Sequence, residues 1–192
     1  MKATGNNIFF IRNIKHMFKK LNLFSKTERK LLAFVSKKDG ELYERQIADG
    51  AGVSVGSANR MLKGFARLGA LKQVIRGRML FYRRNDDNPL LRQFKVFNTI
   101  NELMPLIEKL APFCSRIVLF GSCAEGRNGE KSDVDLFILS NEKEKVRRIL
   151  DGHDSIQAIV LNSVEYSGLQ KKDKPLYKRM NAGVEIYGGE DG

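Results

Sequence analysis

Two short polar motifs, each attached to an apolar run, constrain this chain more than any other feature. One apolar run leads into Gly121 and Ser122, and a second apolar run carries Asp133 and Asp135. The ten residues from Cys123 to Ser132 separate the two motifs. Glycine lets a backbone approach a phosphate closely, and a neighbouring hydroxyl adds a hydrogen-bond donor. The pattern therefore predicts a hairpin-sized pair of strands with a phosphate-binding turn at the end of the first.

The two aspartates are candidate metal ligands. Because Asp133 and Asp135 are two residues apart on an expected strand, their side chains point to the same face. Neighbouring carboxylates repel each other unless a divalent cation lies between them, and hard oxygen ligands of this kind select Mg²⁺ or Mn²⁺. The alternative is an ordinary hairpin with a glycine-rich loop. Unpaired carboxylates are costly to bury in an apolar strand, so we prefer the metal site.

This stretch resembles the DNA polymerase beta nucleotidyltransferase superfamily, and more narrowly the minimal nucleotidyltransferases. The residues that match the family motif are Gly121, Ser122, Asp133 and Asp135. The resemblance implies an α/β domain with a short mixed sheet, which transfers a nucleoside monophosphate from a nucleoside triphosphate. It implies that Gly121 and Ser122 bind the nucleotide, and that Asp133 and Asp135 are catalytic and hold the metal. Members often pair with a helical HEPN protein as antitoxins, so a HEPN-type partner is a further expectation.

The family scheme also has a third carboxylate on a later strand, where this sequence departs from it. The next apolar run, Ile156–Leu161, contains no acid. In two-metal phosphoryl transfer such a carboxylate helps to hold the second metal and activates the attacking hydroxyl. If Gln157 or Ala158 takes its place, triphosphate binding survives and activation is weakened, unless Asp154 or Glu165 substitutes. The alternative function is therefore a catalytically degenerate, nucleotide-sensing transcriptional regulator.

The excess of basic over acidic residues is confined to the first half of the chain. Residues 1–88 hold 19 lysines and arginines against 7 acids, whereas residues 89–192 hold 15 of each. Such asymmetry indicates two domains and a polyanionic partner for the first.

The first half reads as three helices followed by a hairpin. A capping box at Ser25–Glu28 opens the first helix. The second is expected from Tyr43 to Gly50, and the third from Val55 to Leu68 with Ser54 as its N-cap. Two strands then flank the turn Arg76–Arg78.

This order resembles the winged helix-turn-helix, in which the third helix enters the major groove of DNA and the wing contacts phosphate. A small helical interaction module without nucleic acid is the alternative. The resemblance and the basic charge together favour DNA as a partner. The expected DNA-binding residues are the polar and basic side chains of the third helix and the wing: Ser57, Asn59, Arg60, Lys63, Arg67, Arg76 and Arg78.

We expect four segments: a basic amphipathic helix at 1–24, a winged helix-turn-helix at 25–87, a linker helix at 88–99 and a nucleotidyltransferase domain at 100–192. The amphipathic stripe is expected to pack on the winged domain or on a second copy in a homodimer, and the alternative is that it lies on a membrane surface. After the linker helix we expect another helix, through Leu110, with a bend or break at Pro105. A helix over residues 171–179 is expected before a last strand, Val184–Tyr187. We expect its basic residues to form a solvated face; contact with a triphosphate is the alternative.

The remaining sequence patterns concern the cellular compartment of the protein. No apolar run approaches the roughly 20 residues that a membrane-spanning helix needs. The two cysteines, nine residues apart, lack metal-ligand spacing, and reduced thiols are the default inside cells. The sequence predicts a cytoplasmic protein without a membrane span.

Overall fold

The computed structural model describes residues 24–188. The contacts divide these residues into two compact units. The N-terminal unit contains residues 24–98 and 126–131, and the C-terminal unit contains residues 99–125 and 132–188. Apart from Phe24, the predicted amphipathic segment lies outside the described residues.

Three helices begin the N-terminal unit, as the sequence predicts: α1 (Lys26–Lys37), α2 (Glu44–Ala51) and α3 (Val55–Arg67). Ser25 and Glu28 form the capping box of α1, and the Ser54 side chain accepts a hydrogen bond from the Ser57 amide at the start of α3. Both caps satisfy amide groups that have no partner within the helix.

A three-stranded antiparallel sheet completes this unit, in the order β1 (Leu42–Tyr43), β3 (Met79–Arg84) and β2 (Leu71–Arg76). The predicted hairpin is confirmed, and its turn has Gly77 at φ +61°. Buried apolar side chains join the helices to the sheet, among them Leu31, Ile47, Leu62, Phe65 and Tyr82. The arrangement is a winged helix-turn-helix.

One long helix, α4 (Pro89–Leu110), replaces the two helices that the sequence predicts. Pro105 lies inside it without ending it. A proline in a helix removes one amide hydrogen bond. Here the residues around it, Leu103, Met104, Leu106 and Ile107, are buried in the core of the C-terminal unit, so apolar burial stabilises the continuous helix.

The C-terminal unit is built on a four-stranded mixed sheet, which confirms the predicted α/β fold class. Its order is β6 (Ile156–Leu161), β5 (Val134–Leu139), β4 (Arg116–Phe120) and β7 (Val184–Gly188). Strands β5 and β6 are parallel, and the other pairs are antiparallel. A 3₁₀ turn (Ala111–Phe113) precedes β4. The helices are α5 (Gly121–Ala124), α6 (Lys143–Leu150), α7 (Ser163–Lys172) and α8 (Lys174–Asn181).

The prediction of one helix over residues 171–179 was wrong, because α7 ends and α8 begins at Asp173. The Asp173 side chain accepts a hydrogen bond from the Leu176 amide, 3.0 Å away, and so caps α8. Pro175 follows at a position in the first turn where a missing amide proton costs nothing.

Each face of the sheet has its own apolar layer. Ile117, Leu119, Leu136 and Ile138 pack with residues of α4 and α6. On the opposite face, Val118, Phe120 and Phe137 pack with residues of α7 and α8, including Met180 and Tyr166. No helix of the described residues is long and apolar enough to cross a membrane.

Candidate functional site

The glycine–serine motif lies where β4 ends. Gly121 follows Phe120 directly and has φ +69°, a backbone conformation that L side chains rarely adopt. A Cβ atom at this position would overlap the carboxylate Oδ2 of Asp135. The positive φ therefore favours glycine here, and a larger residue would also displace the motif carboxylate that lies against the backbone of the turn.

The two aspartates share a face of β5. Asp135 is the Cα partner of Phe120 on β4, and Asp133 lies two residues earlier, just before the strand. Asp135 is half-buried and Asp133 is exposed. Within the described residues, neither carboxylate forms an ion pair. Two carboxylates without a neutralising side chain fit a hard divalent cation, so the donor set suits Mg²⁺ or Mn²⁺.

Gln157 occupies the place opposite the aspartates on β6. It is the Cα partner of Asp135 in the parallel register, and its side-chain Nε2 donates a hydrogen bond to Asp133 Oδ2 at 2.6 Å. Ala158 instead packs in the opposite apolar layer. The structure thus distinguishes the two candidates that the sequence left open. In the described part of the chain, no group of three or more Asp, Glu, His or Cys residues is arranged to hold a metal.

Neither Asp154 nor Glu165, the two acids that could replace the third carboxylate, forms such a group with the two aspartates in the described part of the chain. Asp154 is exposed in the turn before β6. Glu165 forms a capping box with Asn162 at the start of α7 and accepts hydrogen bonds from Lys143 Nζ at 2.8 Å through both carboxylate oxygens. The hydrogen bond from Lys143 holds the pKa of Glu165 below its ordinary value. These contacts explain Glu165 as a helix cap.

A basic side chain of α8 lies near the motif, which the sequence alone could not establish. The guanidinium carbon of Arg179 is 5.7 Å from the centroid of the Phe120 ring. Phe120 is the residue directly before Gly121. Arg179 was recognisable in the sequence only as one of several basic residues in the tail, because its position depends on how α8 packs on the sheet.

The third helix of the N-terminal unit presents a basic face. Arg60, Lys63 and Arg67 are exposed and recur at spacings of three and four residues, which places them on one side of α3. Ser57 and Asn59 are half-buried. The Ser57 hydroxyl accepts a hydrogen bond from Ser54 at 2.9 Å, and Asn59 Nδ2 donates to Glu44 Oε2 at 2.5 Å.

The two wing arginines differ in their surroundings. Arg76 donates to both carboxylate oxygens of Glu41, at 2.6 and 3.1 Å, and this contact holds the pKa of Glu41 below its ordinary value. Arg78 is exposed and forms no ion pair with another described residue. Arg78 is therefore available to a ligand. Arg76 can contact a ligand only if it breaks its hydrogen bonds to Glu41 or divides its N–H groups between Glu41 and the ligand.

Comparison with known proteins gives one family match. Residues 101–191 match the family described as polymerase beta, nucleotidyltransferase. No curated protein matches the chain.

Among solved structures, the DNA-binding protein Sso10a-2 from Sulfolobus solfataricus is 21% identical over 46% of this chain and 95% of its own, with a TM-score of 0.36. A candidate nucleotidyltransferase from the same organism is 20% identical over 53% of this chain and 90% of its own, with a TM-score of 0.36. TrmBL2, an archaeal chromatin protein, is 14% identical over 86% of this chain and 76% of its own, with a TM-score of 0.32.

The family match covers both motifs and the strands that carry them. Gly121, Ser122, Asp133 and Asp135 all lie within the matched segment, at one end of a mixed sheet of the predicted kind. Residues 101–191 are accordingly a nucleotidyltransferase domain of the polymerase beta family.

Proposed function

We propose that the C-terminal unit binds a nucleoside triphosphate together with a divalent cation and slowly transfers the nucleoside monophosphate to an acceptor hydroxyl, with release of pyrophosphate. One observation carries this proposal: the positive-φ turn at Gly121 lies against the Asp135 carboxylate. A phosphate at the turn and a cation on the carboxylates would therefore be immediate neighbours. In this arrangement the cation offsets the repulsion between the phosphates and the aspartates.

Each motif residue has a distinct role in the proposal. Gly121 allows the phosphate chain to approach the backbone, and the Ser122 hydroxyl donates a hydrogen bond to the β- or γ-phosphate. Asp133 and Asp135 hold Mg²⁺ or Mn²⁺, which when bound polarises the phosphoryl oxygens. Gln157 fixes the orientation of Asp133 through its hydrogen bond. A neutral amide cannot take a proton from an acceptor hydroxyl, so this chain supplies no base at that position.

The same hydrogen bond favours a second candidate function. The loss of a positioned general base typically lowers a rate by about 10²–10⁴-fold. A site that binds triphosphate and hardly turns it over would serve a nucleotide-sensing regulator. Gln157 is the observation that supports this alternative, and a direct measurement of turnover separates it from the enzyme.

We further propose that the N-terminal unit binds DNA. The exposed face formed by Arg60, Lys63 and Arg67 on α3 suits the major groove, and Arg78 at the wing suits a phosphate. The concentration of basic charge in residues 1–88 supports a polyanionic partner. The homodimer and the HEPN-type protein partner, which the sequence analysis predicts, remain untested predictions.

Calorimetric titration of ATP with and without magnesium tests the nucleotide site. Wild type is expected to bind ATP only when magnesium is present, and Asp135→Asn is expected to lose that dependence. Asp154→Asn, which removes an exposed turn carboxylate of the same unit, is the matched control and should behave as wild type. Equal affinity with and without magnesium for all three proteins would contradict the proposal.

A further inference from the structure

Within the described part of the chain, Arg179 is the basic residue of α7 and α8 whose side chain lies over an aromatic ring. Helix α8 packs on the sheet through Met180, which is buried against Val118, Phe120 and Phe137. The Arg179 guanidinium lies over the ring of Phe120. Contact with an aromatic face restricts a guanidinium and leaves its edge N–H groups free to donate.

Phe120 connects this contact to the nucleotide site. It directly precedes Gly121, and its Cα partner across the sheet is Asp135. Residues directly opposite each other on paired strands extend their side chains to the same face. Phe120, Asp135 and Gln157 therefore lie on one face, at the end of the sheet where the glycine–serine turn begins.

The charge of Arg179 is not satisfied within the described residues. Its side chain is exposed, and no described carboxylate lies within ion-pair distance of it. By contrast, Lys143 of α6 donates to both carboxylate oxygens of Glu165, so its charge is already paired. An unpaired guanidinium over the ring of Phe120, the residue directly before Gly121, carries the paired N–H groups that phosphate oxygens accept.

We infer that Arg179 is a phosphate-binding residue of this site, contacting the terminal phosphates of a nucleoside triphosphate held at Gly121 and Ser122. The inference rests on the proposed function of that site. A triphosphate carries more negative charge than one divalent cation on two aspartates can offset, and Arg179 supplies additional positive charge from the α8 side. It follows that the residue selects for the number of phosphates rather than for the base.

Titration of the full-length chain with ATP, ADP and AMP in magnesium tests the role of Arg179. Arg179→Ala should weaken ATP binding by about tenfold or more, the size expected for a lost charge-assisted hydrogen bond. AMP binding should change little, so the ratio of ATP to AMP affinity should fall. Arg179→Lys keeps the charge and should recover part of the loss. Lys178→Ala removes the neighbouring exposed charge of the same helix and should leave both affinities unchanged.

The outcomes separate this inference from the proposed function. If wild type binds ATP and Arg179→Ala binds it equally well, the inference is overturned while the nucleotide site stands. An equal loss for ATP and AMP would mean a structural role for Arg179 and would also overturn it. If wild type binds no ATP in magnesium, the proposed function fails and the inference falls with it.

Discussion

Gly121 shows how a single residue can be fixed by both conformation and space. Its φ of +69° lies in the left-handed region, and the Asp135 carboxylate fills the position of a side chain. Many glycines meet only the first condition; Gly52, for example, has φ +63° but open space around it. The difference separates a glycine that ends a helix from one that brings two functional groups together.

Replacing Gly121 with alanine should therefore cost both stability and nucleotide binding. The left-handed conformation alone costs a residue with a Cβ about 1–2 kcal/mol. The overlap with Asp135 adds to this and moves the carboxylate from its place. Urea unfolding should show the lower stability, and titration with magnesium and ATP should show the lost affinity.

Gly168→Ala is the control, because this helical glycine of α7 has open space where a Cβ would lie. Its free energy of unfolding should stay the same or rise by about 0.5–1 kcal/mol, since alanine favours a helix. Equal stability of Gly121→Ala and wild type would show that the turn does not have the described backbone.

Gln157 provides the second prediction at this scale. Gln157→Glu places a carboxylate where an amide now bonds Asp133, so it should strengthen magnesium binding and supply a base. We expect transfer to an added acceptor to rise by a substantial part of the ~10²–10⁴-fold that a positioned base contributes. Labelled ATP and magnesium with candidate acceptors give the measurement.

Gln157→Met is the matched variant, because it removes the hydrogen bond to Asp133 without adding an acid. It should not raise the transfer rate. Rapid turnover by wild type would refute the argument, and Asp154→Asn would then test the remaining unassigned acid near β6.

At the scale of elements, the sequence predicted the structure well wherever the determinant is local. The capping box at Ser25, the N-cap at Ser54 and the turn at Gly77 each depend on neighbouring residues, and each is where the pattern indicated. The two errors have non-local or competing causes. Burial around Pro105 preserves a continuous helix, and Asp173 caps a new helix inside a run that looked continuous.

The same distinction applies to the candidate site. The residue types, their spacing and the family resemblance together indicated Gly121, Ser122 and the two aspartates as candidates. The partner of Asp133 required the register of β6, because a shift of one residue would have turned Ala158 toward it instead. Likewise, the packing of α8 on Phe120, which no local pattern encodes, determines the position of Arg179.

The wing yields a prediction that compares two arginines of one turn. Arg78→Ala should weaken binding to every DNA sequence, because a phosphate contact is lost without regard to the bases. Arg76→Ala should have the smaller effect, since Arg76 is already held by Glu41. Arg60→Ala on α3 should instead alter the preference among sequences. Fluorescence anisotropy with duplexes of random and selected sequence measures all three.

An Arg76→Ala loss as large as that of Arg78→Ala would mean that Arg76 leaves Glu41 when DNA binds. Glu41→Gln separates the two cases. If the ion pair keeps Arg76 from the phosphate, Glu41→Gln should strengthen DNA binding in the wild-type background and should have no such effect in Arg76→Ala.

At the scale of the whole molecule, the excess positive charge and the candidate nucleotide site lie in different halves of the chain. The excess of 12 positive charges lies within residues 1–88, whereas the glycine–serine and aspartate motifs lie in a half with equal numbers of acids and bases. A nucleotide site that relies on a bound cation does not need a basic surface. A DNA site does, because its ligand carries charge along its whole length. From this division we expect the two proposed sites to respond differently to salt.

The final prediction is that these two responses can be measured separately on the intact chain. DNA affinity should fall steeply with salt, by a logarithmic slope of about −0.9 for each phosphate neutralised. Each replacement by alanine among Arg60, Lys63, Arg67 and Arg78 that removes a phosphate contact should reduce the slope by about one. Asp135→Asn should leave the DNA slope unchanged and alter only the response to magnesium and ATP. A DNA interaction that is independent of salt, or one that Asp135→Asn weakens, would show that the basic face of the N-terminal unit is not the site, because counterion release follows the lysines and arginines that touch phosphate.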